Sequence, residues 1–258
     1  MNPINIQPRY YSHLESDLAK PSERDGAYHR LDWEVDPADV ALILVDVWNW
    51  DYLEEVLERD EKIIRYSILP ILTAFREKQL TIVHAPCSIV AEKYPHHRIP
   101  DFIEIEHSRP AWPPRDLVNA SGKFAQYARP KIPFSEKVMA HTLNVRDIHP
   151  LVRPIDGEYV VGNNGDELDA VLRQKKSLFL FYVGFHSNLC LLGRDYGIPA
   201  MFQRGYQPMI LTDAINAIET HETSDTREQA KQMEILYNLM GTYTLTTKEL
   251  INDLKQDD

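Results

Sequence analysis

Residues 40–45 read VALILV, six apolar side chains in unbroken succession, and the run stops at Asp46. A run without polar alternation fits a strand covered on both faces, as in a parallel sheet. Asp46 then sits at the strand's carboxyl end. Downstream, Ile64, Ile68, Leu72 and Phe75 recur at spacings of four, four and three, which is one face of a helix with a kink expected at Pro70. A second strand is expected at 80–83.

The same alternation continues along the chain. EYVV at 158–161 precedes a helix over about 166–174, and SLFLFYV at 177–183 is a further buried strand. In GFHSNLCLLGRDYGIPAMFQRG, from Gly184, Ser187 is the expected N-cap of a helix, with Leu189, Leu192 and Ile198 facing inward; Gly193 and Gly197 weaken that helix. PMILTDA at 208–214 reads as a strand and 224–239 as a helix. A short strand near Tyr243 and a last helix opened by Thr246, with Glu249 three residues on as a capping box, complete the pattern. The expected fold is α/β, a three-layer α/β/α sandwich around a mostly parallel central sheet.

Two stretches interrupt the alternation. Residues 1–38 are polar and irregular and read as an N-terminal arm, so that one domain is expected over 39–258. Residues 85–157 carry ten prolines, an insertion of the kind that forms a lid, a binding loop or an interface. Within it, Trp112 is a candidate lid or interface anchor.

Composition narrows the function. With 28 basic and 39 acidic residues the formal charge is -11, which disfavours the basic face that duplex nucleic acid or an anionic bilayer requires. No run reaches the roughly 20 apolar residues of a membrane span. The first residues lack the layout of a signal peptide, and the only cysteines are Cys87 and Cys190, so a cytoplasmic protein with free thiols is expected. Neither CxxC nor HExxH occurs, and no metal is expected.

Ligands of open α/β sheets collect beyond the carboxyl ends of the strands. Asp46 and His84 each follow or end one strand, and Cys190 lies shortly after another. A thiol in a helix's first turn is expected to ionise more readily, although an isolated cysteine of this kind is also commonly a small buried hydrophobe. His84 fits either a substrate-orienting role or a satisfied core histidine, and Trp48 either packing or a pocket wall. The acidic run LEEVLERDE at 53–61 reads as a solvated helix face.

GFHSNLC at 184–190 resembles the Gly-x-x-Thr-x-x-Cys signature of the isochorismatase-like cysteine hydrolases, with Ser187 in the Thr place. LILVDVWN at 42–49, ELDAVLR at 167–173 and GYQPMILTDA at 205–214 resemble the family's other landmarks in the same order. The resemblance implies a cofactor-free attack by Cys190 on a small amide, carbamoyl or related C–N bond, with Asp46 as general base and then acid. It places the oxyanion hole at the backbone N–H groups of Cys190 and His186, beside a cis Phe185–His186 peptide, and implies a homo-oligomer. Trp48 and His84 are the pocket candidates.

One position departs from the family. Where a catalytic Lys is expected, the chain reads VVGNNGDEL, with Asn163 or Asn164 in its place. Three explanations stand: a lysine of the insertion, Lys131 or Lys137, reaches the site; the Asn suffices; or the protein binds small molecules without turning them over.

Overall fold

The computed structural model describes residues 2–13, 20, 22–100, 102, 112–129, 133–162 and 164–255. The VALILV run forms the strand Val40–Val45, here β5, buried at every position. It lies at the heart of an eight-stranded sheet, and its neighbours explain its composition. On one side come β6 (Thr81–Ala85) and β7 (Tyr159–Val160); on the other, β8 (Phe179–Gly184), β9 (Gln207–Ile215) and β10 (Tyr243–Leu245), all parallel to it in the order β10-β9-β8-β5-β6-β7. Alternate residues of β5 face two separate apolar clusters. Val40, Leu42 and Leu44 pack with Ile68, Leu72 and Phe75, while Ala41, Ile43 and Val45 pack with Leu168, Val171 and Met201. Helical layers therefore cover both faces, and the architecture is the expected α/β/α sandwich.

The described residues of 1–38 correct the expectation of an irregular arm. Arg9–Ser12 (β2) pairs antiparallel with β10, and Ala27–Arg30 (β3) pairs antiparallel with β2, extending the sheet by two strands. Ile4–Ile6 (β1) and Trp33–Val35 (β4) form a separate two-stranded ribbon whose Ile4, Ile6 and Val35 join the core. The side chains of β2 are half-buried throughout and those of β3 alternate only between half-buried and exposed, so neither segment shows the buried apolar alternation that marks a strand in sequence. Pairing with β10 defines them instead.

The helix ahead of β6 runs from Glu54 to Glu77, and Pro70 is accommodated by a π-helical turn at Ile64–Ile68, where Leu69 N–H reaches the Ile64 carbonyl. The last helix, Thr247–Lys255, has the expected capping box: Thr246 Oγ1 accepts from Glu249 N–H at 3.2 Å and Glu249 Oε2 accepts from Thr246 N–H at 2.8 Å. The helix expected from Ser187 onward is corrected. It is broken into one turn at Cys190–Gly193 and a second helix at Ile198–Gln203, because Gly193 and Gly197 interrupt it. Ser187 caps neither piece; it is fully buried, and its N–H donates to the Asn216 carbonyl at 2.7 Å. Leu189, expected inward, is 54% exposed.

Strand order fixes the place of the site. After β5 the chain adds β6 and β7 on one side, then crosses to lay β8 on the other. The carboxyl ends of β5 and β8 thus flank the point where winding reverses, the crevice in which such sheets hold ligands.

Candidate active site

Asp46 leaves β5 with a left-handed backbone, φ 50°, its N–H donating to the Ala85 carbonyl at 3.2 Å. This turn directs a fully buried carboxylate under the end of the sheet. Across from it, Val45 is in register with Gly184, and Phe185 N–H donates to the Val45 carbonyl at 2.9 Å. Gly184 is required there. Its φ is 117°, and a β-carbon would lie 1.9 Å from the Val45 oxygen. The chain then passes through a cis Phe185–His186 peptide to the single helical turn that opens at Cys190.

The turn brings the thiol to the carboxylate. Cys190 hydrogen-bonds to Asp46, and the His186 backbone N–H points at the same sulfur. Arg194, whose N–H closes the turn on the Cys190 carbonyl at 3.0 Å, lies on the same side and places Nη2 3.3 Å from Asp46 Oδ2. Its guanidinium also hydrogen-bonds to Cys190. A thiol, a carboxylate and a guanidinium are therefore mutually in contact.

Electrostatics correct the expectation of an easily ionised thiol. Burial and then the Asp46 carboxylate push Cys190 up to about 12, against the opposing pull of the His186 N–H and Arg194. A one-turn helix offers too little dipole to reverse this. Burial also raises Asp46, opposed by Arg194, the Cys190 hydrogen bond and Arg146. At neutral pH the thiol keeps its proton, with Asp46 the group placed to take it and Arg194 placed against the negative charge of either.

A second polar group surrounds the first. His186 is buried, with Nε2 3.6 Å from Asp51 Oδ2 and 3.7 Å from Asp60 Oδ2. Asp60 Oδ1 accepts from Asn216 Nδ2 at 2.6 Å, and Asn216 Oδ1 accepts from Arg227 at 3.1 Å. Asp60 belongs to the acidic run expected to be solvated, and this too is corrected: it is 5% exposed. Val56, Asp60 and Ile64, four residues apart, form one buried stripe, so the spacing carried the signal. Among the described residues no His, Cys, Asp and Glu side chains cluster as a metal ion requires.

No family model and no curated protein matches the chain. Solved structures do. A cysteine hydrolase from Pseudomonas syringae pv. phaseolicola is similar with a TM-score of 0.57 at 15% identity, over 88% of this chain and 97% of that one. An isochorismatase family protein from Desulfovibrio vulgaris is similar with a TM-score of 0.51 at 16% identity, over 84% and 98% of the two chains. The chain has the isochorismatase-like fold.

Within the isochorismatase-like fold, the structure brings together Asp46, Cys190 and His186, with Trp48 beside them: its indole lies 6.4 Å from the His186 ring. His84 is not part of this group. Its ring is buried on β6, Nε2 2.8 Å from Glu158 Oε2, and Arg76 binds the same carboxylate. This favours the reading of a core histidine over a pocket residue, with Nε2 bonded and Nδ1 buried without a partner. Asn163 lies outside the described residues, as does Lys131. Asn164 Oδ1 accepts from Asp166 N–H at 2.8 Å as the N-cap of the helix Gly165–Lys175, and Lys137 is solvent-exposed. Among the described residues the cation paired with Asp46 is Arg194, which sequence reading missed. Its only signal is a position four residues after Cys190.

Proposed function

We propose that the protein is a cysteine hydrolase acting on a small amide, carbamoyl or related C–N bond. The observation that carries this reading is the three-way contact of Cys190, Asp46 and Arg194. The Pseudomonas neighbour is described as a cysteine hydrolase, and the proposal extends that description to this chain.

In the proposed reaction, Cys190 Sγ bonds to the substrate carbonyl carbon as its proton passes to Asp46, which burial makes a receptive base. The carbonyl oxygen becomes an oxyanion facing the backbone N–H groups of His186 and Cys190. Asp46 then gives its proton to the departing nitrogen, the C–N bond breaks, and a thioester remains. Water, losing a proton to Asp46, adds to the thioester and releases the acid; the proton returns to the thiolate. Arg194 holds the negative charge in place at each stage, the role for which the missing Lys was sought. The expectation of a non-catalytic binding protein rested on that missing Lys, and Arg194 weakens it.

The same proposal takes a small-molecule substrate, a homo-oligomer and a cytoplasmic location as its setting; among the described residues no helix is long and apolar enough to cross a membrane. The test is ammonia or amine release from a panel of primary amides and carbamoyl compounds. Turnover that Cys190→Ala abolishes is the expected result, and a substrate consumed equally well by that variant overturns it.

A further inference from the structure

Arg146, in the last part of the Pro-rich insertion, is fixed against the segment that follows Asp46. Asn49 Oδ1 accepts from Asp147 N–H at 2.8 Å, Asn49 N–H donates to the Asp147 carbonyl at 3.0 Å, and Asn49 Nδ2 donates to the Val145 carbonyl at 3.2 Å. Trp48 and Ile148 form a β-bridge, and His149 N–H donates to the Val47 carbonyl at 3.0 Å. Residues 145–149 are thus stitched to 47–49, and the Arg146 backbone has no latitude.

The side chain is equally placed. The guanidinium stacks over the Trp48 indole, 3.7 Å from the ring centroid, on the aromatic that itself borders His186. Its field reaches both the Asp46 carboxylate and the Tyr52 phenol, and Tyr52 in turn senses Cys190. Yet its buried Nε has no hydrogen-bond partner, and among the described residues no carboxylate is in ion-pair contact with it. Arg194, by contrast, is matched by Asp46. A planar, pre-oriented guanidinium with its Nε unspent, stacked on the indole that borders His186 and within the field of Asp46, has the form of a receptor for a carboxylate.

We propose that Arg146 recognises a carboxylate on the substrate, so that the compound hydrolysed at Cys190 is a small acid bearing an amide or carbamoyl group. This rests on the cysteine hydrolase reading and narrows it to anionic substrates. Trp48 holds the fork in plane, and the carboxylate replaces the missing partner of Nε.

Two reagents of nearly equal size test the proposal. Iodoacetate carries the carboxylate and iodoacetamide does not, and each labels Cys190 without requiring turnover. Label at Cys190 is followed by peptide mass spectrometry in the wild type, Arg146→Gln and Arg146→Lys. Arg146→Gln is expected to slow carboxymethylation at least about tenfold, the weight of one charge-assisted contact, and to change carbamidomethylation less than about twofold. Arg146→Lys is expected to fall between. Equal slowing of both reagents, or of neither, overturns the assignment of Arg146. A Cys190 that neither reagent labels in the wild type overturns the cysteine hydrolase reading itself, and this inference with it. Because the variants disturb the Trp48 stack, wild-type protection supplies a second measurement. Succinamate should protect Cys190 from iodoacetamide at a concentration at least about tenfold below that of succinamide; equal protection overturns the proposal.

Discussion

Arg194 and Asp46, 148 residues apart in the chain, meet at 3.3 Å beneath the carboxyl end of the central strand. The carboxylate has no exposure to solvent, and the guanidinium opposes the upward push that burial gives it. Arg194→Met is expected to lower turnover at least about 100-fold, as loss of an electrostatic contact at a reacting centre does. Arg194→Lys, which keeps the charge, should retain more activity than Arg194→Met. Ammonia-release rates for the two variants check this, and undiminished turnover in Arg194→Met would remove Arg194 from the reaction.

Asp46 acts on the thiol in two opposed ways, and a single substitution separates them. Its negative charge disfavours the thiolate and contributes to pushing Cys190 up to about 12. Asp46→Asn removes that charge while Arg194 remains, so the thiol should titrate lower and react faster with iodoacetamide at pH 8. Turnover should nevertheless be lost, because no base accepts the proton. The pH profile of alkylation decides the point; a thiol titrating no lower in Asp46→Asn than in the wild type contradicts it.

The His84–Glu158–Arg76 group ties the fold to pH. Burial alone would raise the Glu158 carboxyl, but hydrogen bonds from His84 and Arg76 and their charge hold it at about 2, below its ordinary 4.5. A depressed acid stabilises the fold above the ordinary value and loses that contribution as pH falls from 4.5 towards 2, here about 3 kcal/mol. Burial also depresses His84, whose contribution fades as pH drops below 6.5. Urea unfolding at several pH values should show stability declining in this window in the wild type. Glu158→Gln should be weaker at pH 7 and flatter below pH 4.5; an unchanged slope would refute the linkage.

Gly184 admits no side chain. With φ at 117° and the Val45 oxygen 1.9 Å from any β-carbon, Gly184→Ala is expected to cost about 3 kcal/mol or more. The midpoint of urea denaturation measures it. A midpoint within experimental error of the wild type would mean the two strands separate more easily than their register implies.

The central strands were legible because burial on both faces leaves them largely apolar: VALILV, SLFLFYV and PMILTDA each lie within or across a parallel strand. The final capping box was legible because it is local. What sequence hid depends on partners far away. RYYS at 9–12 becomes a strand only by pairing with β10, and although spacing puts Asp60 on a buried stripe, its partners His186 and Asn216 come from distant parts of the chain. Asp46 and Cys190 could be paired by their place at strand ends. Arg194 and Arg146 could not, since a guanidinium on a long side chain gives no periodic signal of where it points.

The seam between 47–49 and 145–149 has an evolutionary reading. It ties the 145–149 segment to the same short stretch that follows Asp46, and Lys93 and Tyr94 bond to Arg146 and Asp147 from the other side, so changes in length and composition are expected to be tolerated best between 100 and 144. Under the proposed function, substrate preference is therefore expected to drift in that cassette while Asp46, Cys190 and Arg194 stay constant, giving one chain two tempos of change.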